Sequence, residues 1–255
     1  MTTRGAVRNV ALVTGAARRV GKAISCELAA HGMAVAVHFH ASSAEADALV
    51  ADLVRDGRVA RAFQGDLARP ADCDKLIDDV LAWQGRLDVL CNNASVFRKF
   101  PFTGGDDREW EDAWRDSLDV NLLAPARLVR RAAPALSREG GVVVNLLDIG
   151  AWQAWPGFAH YGVAKAGLAW LTKTLAVALA PHVRVVGVAP GIAEFPEDMN
   201  MATRARLVAA VPLARAGTPE DIAQAVRYLV GANYVNGTVL VVDGGRLARG
   251  SGPLG

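Results

Sequence analysis

Seven short runs of the chain are apolar at nearly every position, and longer stretches with apolar residues three and four apart lie between them. The runs cover 7–13 (VRNVALV), 33–39 (MAVAVHF), 59–63 (VARAF), 87–91 (LDVLC), 141–147 (GVVVNLL), 183–188 (VRVVGV) and 238–242 (TVLVV). Continuous apolarity marks strands buried on both faces, as parallel sheets require. The stretches 22–32 (KAISCELAAHG), 45–57 (EADALVADLVRDG), 108–136, 166–180 (AGLAWLTKTLAVALA) and 222–232 (IAQAVRYLVGA) predict helices, with another starting near Pro70. The helix over 108–136 is interrupted near Asn121, where Pro125 suits a kink. Thr218-Pro219-Glu220-Asp221 reads as an N-cap, a proline at the first helical position and an acidic first turn. Strand and helix alternate, so the pattern predicts an α/β fold on a parallel sheet.

Two points along this pattern carry chemistry. The first strand runs into Thr14-Gly15-Ala16-Ala17-Arg18-Arg19-Val20-Gly21 and then a helix. Glycine lets backbone approach a pyrophosphate closely, and the helix N-terminus offers oriented N–H groups. An ordinary tight turn is the alternative. The second point is Asp148 to Lys165, where Tyr161 and Lys165, four apart, should share a helical face. An ammonium beside a phenol lowers a pKa that starts near ~10 and makes Tyr161 a general acid. Taken alone, Tyr-x-x-x-Lys also suits a surface pair on an amphipathic helix.

Thr14-Gly15, Gly21, Asn92-Asn93-Ala94, Tyr161-x-x-x-Lys165 and Pro190-Gly191 occur in that order and span nearly the whole chain. On these motifs the chain resembles the short-chain dehydrogenase/reductase family. Arg19 replaces the usual middle glycine of the first motif, and Asp148 replaces the usual catalytic serine before the tyrosine. Both departures, with Asn93-Ala94-Ser95-Val96-Phe97, resemble the pteridine reductase branch. The resemblance implies one Rossmann-type doubly wound domain over 1–255, a parallel seven-stranded sheet with helices on both faces, and a substrate lid over about 193–210. It also implies a homotetramer.

The same resemblance assigns roles. Asp148, Tyr161, Lys165 and Asn121 are the catalytic candidates, with Asn121 fixing a water that relays protons to the lysine, or else serving only as a kink residue. The cofactor candidates are Gly15, Arg18, Arg19, Val20, Gly21, His40, Ser42, Asp66, Leu67, Asn93, Ala94, Ser95, Tyr161, Lys165, Pro190, Gly191 and Ile192. Substrate is assigned to Arg19, Ser95, Phe97, Asp148 and Tyr161, with Phe97 stacking on the substrate ring unless it is instead a core anchor. Trp152 and Trp155 are candidates for the pocket rim. Phe195, Met199 and Met201 either line the lid or pack in the core.

The second run ends in His40-Ala41-Ser42-Ser43, with no acid where NAD-specific proteins place one for the ribose 2′-OH. Hydroxyls, an imidazole and Arg18 suit a 2′-phosphate, which favours NADPH, although the resembled branch has an arginine where Ala41 stands. Ser42 also suits a helix cap, as Asp66 does for the helix near Pro70. Asp148 can accept from ring N–H groups but cannot donate to a ketone oxygen unless protonated. That property, with the resemblance, predicts NADPH-dependent reduction of a pterin-like ring. A reductase of another carbonyl, such as a 3-oxoacyl thioester or a sugar ketone, is the alternative, and a dinucleotide-binding regulator without turnover is a rival of another class.

Composition narrows the setting. The chain has 255 residues, 52% of them hydrophobic and 21% charged, enough for a sizeable core. A net charge of +2 gives no footprint for nucleic acid. No apolar run approaches the ~20 residues of a membrane span, and Met1 to Asn9 lacks the apolar segment of a signal peptide, so a cytoplasmic protein without a membrane partner is expected. Cys26, Cys73 and Cys91 lack metal-ligand spacing, and no metal site is expected. The tail RLARGSGPLG is expected to be mobile.

Overall fold

The computed structural model describes residues 9–196 and 198–249. Val7 and Arg8 of the first apolar run, the start of the segment searched for a signal peptide, Glu197 in the expected lid and the end of the glycine-bearing tail lie outside the described residues.

Strands β1 (Val10–Val13), β2 (Ala34–Phe39), β3 (Ala60–Gln64), β4 (Val89–Asn92), β5 (Val142–Leu146), β6 (Arg184–Pro190) and β7 (Val239–Val242) form one sheet in the order β3-β2-β1-β4-β5-β6-β7. Every pairing is parallel. The seven apolar runs therefore become the seven strands, within one or two residues at most ends. Each parallel crossover carries a helix: α1 (Arg19–Ala30), α2 (Ser43–Arg55), α3 (Pro70–Gln84), α4 (Asp107–Leu118) with α5 (Ala124–Glu139), α6 (Ala159–Ala178), and α7 (Met201–Ala209) with α8 (Pro219–Gly231). This is a single Rossmann-type domain.

Side chains alternate across the sheet, and the two faces make separate cores. Ala11, Val13, Val35, Val37, Val144 and Val186 pack on Ile24 and Leu28 of α1, Leu49 of α2 and Ile222 and Val226 of α8. Val10, Leu12, Ala36, Leu90, Val143 and Val185 pack on Leu76 and Ile77 of α3, Leu128 and Leu136 of α5 and Ala176 of α6. Both strand faces are apolar because both are covered.

The order reverses between β1 and β4, which opens a crevice at their carboxyl ends. The helix expected over 108–136 is continuous, but a π-helical turn over Asp119–Leu123 joins α4 to α5 and accounts for the irregularity at Asn121. Pro125 falls in the first turn of α5, where its missing N–H is tolerated. Thr218 caps α8 in a reciprocal capping box with Asp221, as its sequence predicts. Cys26, Cys73 and Cys91 are free thiols, the last two buried. Among the described residues no helix is long and apolar enough to cross a membrane, and no group of potential metal ligands converges.

Candidate active site

A cleft of about 580 Å³ follows the crevice from β2 to β6. Its lining includes Gly15, Arg18, Arg19, Val20, Gly21, His40, Ser42, Asp66, Leu67, Asn93, Ala94, Ser95, Phe97, Asp148, Tyr161, Lys165, Pro190 and Gly191. Trp152 and Trp155, the rim candidates, are not part of it, nor are two of the catalytic and cofactor candidates. Ile192 has its carbonyl tied to the Gly217 N–H at 2.8 Å. Asn121 is buried behind the wall, where its side chain accepts from Val96 N (2.8 Å) and donates to Val96 O (2.9 Å) and Ser117 Oγ (3.2 Å). It braces the loop after β4 from the π-helical turn.

The glycines leave a shaped cradle at the β1 end. A Cβ on Gly21 would come within 2.2 Å of Gly15 O and 2.6 Å of Asn93 Nδ2, and one on Gly15 within 2.9 Å of Ala94 Cα. Gly15 also sits at φ +60, a conformation L-residues avoid. Thr14 Oγ1 accepts from Asn93 N and Ala94 N, both at 2.9 Å, and Asn93 Nδ2 donates to Thr14 O and Gly15 O. The turn and the β4 end form one hydrogen-bonded unit at the N-terminus of α1, a fit for a dinucleotide pyrophosphate.

His38, in the middle of the apolar run AVAVHF, is a site residue the sequence pattern conceals. It is buried, accepts from Gly15 N through Nδ1 at 3.1 Å, and its Nε2 lies 3.1 Å from Gly65 O. Two backbone partners of opposite kind fix the neutral tautomer with the proton on Nε2. Burial also holds the imidazole well below its ordinary value, at about 4. Asn145, the single polar residue of β5, receives Asn92 Nδ2 at 2.8 Å and donates to Thr172 Oγ1 of α6 at 2.9 Å. This buried chain seats α6 on the strand ends, and a polar residue inside GVVVNLL is the signal that could have found it.

The outer, ribose end of the cleft departs from expectation in two ways. Ser42 precedes α2 without a side-chain capping bond. Glu45, one turn in, lies 3.4 Å from the Arg18 guanidinium, so an acid does stand near this corner, reached through the helix rather than through the strand end. Asp66 does not cap α3 either: its carboxylate turns back to accept from Ala68 N at 3.0 Å, and Arg69 occupies the cap position.

Around the catalytic candidates, α6 carries Tyr161 and Lys165 on one buried face. Asp148 follows β5 and accepts from Gly150 N at 2.7 Å, capping the short turn Ile149–Ala151, and from the Tyr161 hydroxyl at 3.1 Å. It therefore fills both the capping and the site role. Lys165 Nζ donates to Leu146 O at 2.8 Å and lies 5.6 Å from the Tyr161 ring. Burial pushes the phenol well above its ordinary value, and the Asp148 charge adds to this, outweighing a hydrogen bond from Ser95. The expectation that Lys165 lowers the Tyr161 pKa is thus overturned: the carboxylate, not the ammonium, is the nearer charge, and burial itself brings Lys165 down to about 8. Burial also raises Asp148, against Gly150, Lys165, Tyr161 and Arg246, which favour its ionised form.

Phe97 is neither a core anchor nor free. It is 57% exposed, stacked on Phe158 at 4.5 Å, and edge-on to Tyr161 at 4.8 Å and Trp155 at 6.5 Å. Trp155 thus touches Phe97 without lining the cleft, and Trp152 is exposed. In the expected lid, Glu194 pairs with Arg19 at 2.6 Å across the cleft mouth, Phe195 packs under the Arg204 guanidinium and Met201 is exposed. Arg19 adopts φ +54, where glycine is the usual choice.

A family model described as enoyl-(acyl carrier protein) reductase matches residues 15–246. A 3-oxoacyl-(acyl-carrier-protein) reductase of Synechocystis sp. is 37% identical over 243 residues, covering 92% of this chain and 96% of its own. The protein of the same name from Staphylococcus aureus is 33% identical over 241 residues, with 92% and 96% covered. Another from Staphylococcus epidermidis is 32% identical, with 92% and 97% covered.

These names overturn the pterin expectation and favour its carbonyl alternative. Burial raises the Asp148 pKa, against Gly150, Lys165, Tyr161 and Arg246, and Phe158 already covers one face of Phe97. The pteridine branch is not supported, and the chain belongs to the short-chain dehydrogenase/reductase family as a nicotinamide-dependent reductase.

Proposed function

We propose that the chain is an NADPH-dependent reductase of 3-oxoacyl substrates, turning a ketone β to an acyl carbonyl into the secondary alcohol. The observation that carries it is the buried Asp148–Tyr161–Lys165 arrangement at the cleft wall, together with the names of the relatives. The turn from Gly15 to Gly21 would receive the pyrophosphate. Arg18, His40 and Ser42 would take the 2′-phosphate, Asp66 and Leu67 the adenine, Asn93 to Ser95 and Lys165 the nicotinamide ribose, and Pro190 and Gly191 the carboxamide. When bound, the cofactor supplies a hydride to the carbonyl carbon.

The remaining chemistry belongs to the chain. Tyr161 keeps its proton at neutral pH because burial and Asp148 both oppose ionisation, so it meets the substrate as an acid. As the carbonyl oxygen gains charge, the phenol proton passes to it and leaves a phenolate. The Lys165 ammonium, on the next turn of α6, offsets that negative charge. Asp148 accepts from the Tyr161 hydroxyl and so orients the phenol toward the substrate, from the position a serine holds elsewhere in the family. The residues 193–210 would close over the substrate, with Glu194 and Arg19 at the hinge of the mouth. Val163, Trp170 and Val177, exposed at seven-residue spacing on α6, would form part of a homotetramer contact.

The test is the initial rate of NADPH and NADH oxidation with acetoacetyl-CoA, for wild type and Tyr161→Phe. The variant is expected to lose roughly 10³-fold in kcat while its NADPH affinity stays within about threefold. Substantial residual turnover would refute Tyr161 as the acid. No turnover of any 3-oxo substrate by the wild type would refute the function.

A further inference from the structure

Asp148 stands where the family usually has a serine and accepts from Tyr161, so the end of β5 offers no hydroxyl to a carbonyl oxygen. The end of β4 does. Among the described residues that line the cleft, only Ser42, Ser95 and Tyr161 carry a hydroxyl, and Ser42 stands at the ribose corner before α2. Ser95 is exposed in the same cleft as Asp148 and Tyr161. Its hydroxyl donates to the Tyr161 oxygen, a bond that favours the phenolate.

The main chain is pinned on both sides of this serine. Asn93 N and Ala94 N each donate to Thr14 Oγ1 at 2.9 Å. Val96 N donates to Asn121 Oδ1 at 2.8 Å, and Val96 O accepts from Asn121 Nδ2 at 2.9 Å. Asn121 is buried in the π-helical turn, which sets its amide beside residue 96. A short side chain between two such clamps has little left to order when a substrate arrives, which is the condition for an effective fixed donor.

We propose that Ser95 is a catalytic residue whose hydroxyl donates a hydrogen bond to the carbonyl oxygen of the substrate, performing from the end of β4 the task that a serine performs from the end of β5 elsewhere in the family. This deepens the reading as a 3-oxoacyl reductase and rests on it. Hydride adds to the carbonyl carbon, the π pair moves onto oxygen, and Tyr161 gives that oxygen its proton; Ser95 keeps its own proton and stabilises the charge while it builds. An oxygen that takes the Tyr161 proton must lie about 3 Å from the phenol oxygen. The Ser95 hydroxyl already reaches that atom. The bond strengthens as charge develops, so it acts on kcat more than on KM. Asn121 is then a positioning residue that acts through Ser95.

The experiment follows reduction of acetoacetyl-CoA and ethyl acetoacetate at saturating NADPH in wild type, Ser95→Ala, Asp148→Ser and the double variant. Ser95→Ala is expected to lose roughly tenfold to hundredfold in kcat on both substrates, with KM and NADPH affinity within about threefold of wild type. In the Asp148→Ser background the same substitution is expected to cost less than about threefold, because a hydroxyl at the end of β5 then supplies the bond. A role confined to holding the loop or the nicotinamide ribose gives equal losses in the two backgrounds or weakened NADPH binding, and either result overturns the proposal. Infrared difference spectra read the bond without turnover. With NADP+ bound, the isotope-labelled ketone stretch of ethyl acetoacetate is expected to rise toward its free value in Ser95→Ala, and an unchanged stretch overturns the proposal. An active wild type with an unimpaired Ser95→Ala removes Ser95 and leaves the reductase reading standing, whereas a wild type that reduces neither substrate removes both.

Discussion

At the cofactor end of the cleft the chain is held by its backbone; at the substrate end it is held by stacked rings. Thr14, Asn93 and His38 fasten the β1 turn to β4 and to Gly65 through hydrogen bonds, and the glycines fit with no spare space. Phe97, Phe158 and Trp155 meet as ring contacts between loops, with Phe97 more than half exposed. The first arrangement suits one ligand shape shared by many enzymes. The second leaves room for the substrate to be set by a few side chains. Substitutions at the cofactor end should therefore cost both stability and dinucleotide binding, and those at the substrate end should change selectivity.

The largest effect is expected at Gly21. Its Cβ would meet the backbone oxygen of Gly15, which cannot move without breaking the turn, so Gly21→Ala should weaken NADPH binding about a hundredfold and lower stability by roughly 1–3 kcal/mol. Gly32→Ala is the control: it lies at φ +89 with nothing within 4 Å, so it should cost about 1 kcal/mol of backbone strain and leave NADPH affinity unchanged. Fluorescence titration of NADPH with chemical denaturation of both variants reads the two quantities. Equal losses of affinity would mean that the cradle is not a contact-limited site.

This contrast also explains what the amino-acid pattern revealed. The strands and the Gly15–Gly21 turn were legible because burial on two faces and a glycine-only backbone leave a mark at each position. Tyr161 and Lys165 were legible because helical spacing puts them on one face. The electrostatics were not: the distance from Tyr161 to Asp148 rather than to Lys165 depends on how β5 meets α6, which no local spacing encodes. Glu45 was missed for the same reason, since it meets Arg18 from α2, an element whose own pattern reads as surface. The substrate was misread because the departures at Arg19 and Asp148 were weighed above the similarity that runs along nearly the whole chain to proteins named for 3-oxoacyl reduction.

A smaller effect, with a pH signature, is expected at His38. Its fold-state value near 4 lies below the ordinary 6.5, so above pH 6.5 neither the folded nor the unfolded chain holds the proton. As pH falls from 6.5 the unfolded chain takes it up and the fold does not until about 4, so stability drains away across that window and levels off below it. The full amount is about 3 kcal/mol as an upper figure. Denaturation of wild type and His38→Gln between pH 4 and 7 should show this slope in the wild type and lose it in the variant, which should also bind NADPH roughly tenfold more weakly through the unanchored Gly15 N–H. A variant that keeps the slope would move the titration to another group.

The smallest effect sharpens the comparison by testing where the rigid half ends. Arg18 and Glu45 pair at 3.4 Å with side chains 63% and 45% exposed, so the pair contributes little to stability, and Glu45→Gln should leave the melting temperature within about 1 °C. Its effect is on the cofactor. With Glu45 present, Arg18 meets a 2′-phosphate already partly neutralised, and the carboxylate itself repels that phosphate. Removing the charge should lower the KM for NADPH by roughly two- to fivefold, an effect that added salt weakens, and leave the KM for NADH where it was. A rise in the NADPH KM would mean that Glu45 holds Arg18 in position, and the ribose corner would then belong with the hydrogen-bonded cradle rather than with the adaptable half of the cleft.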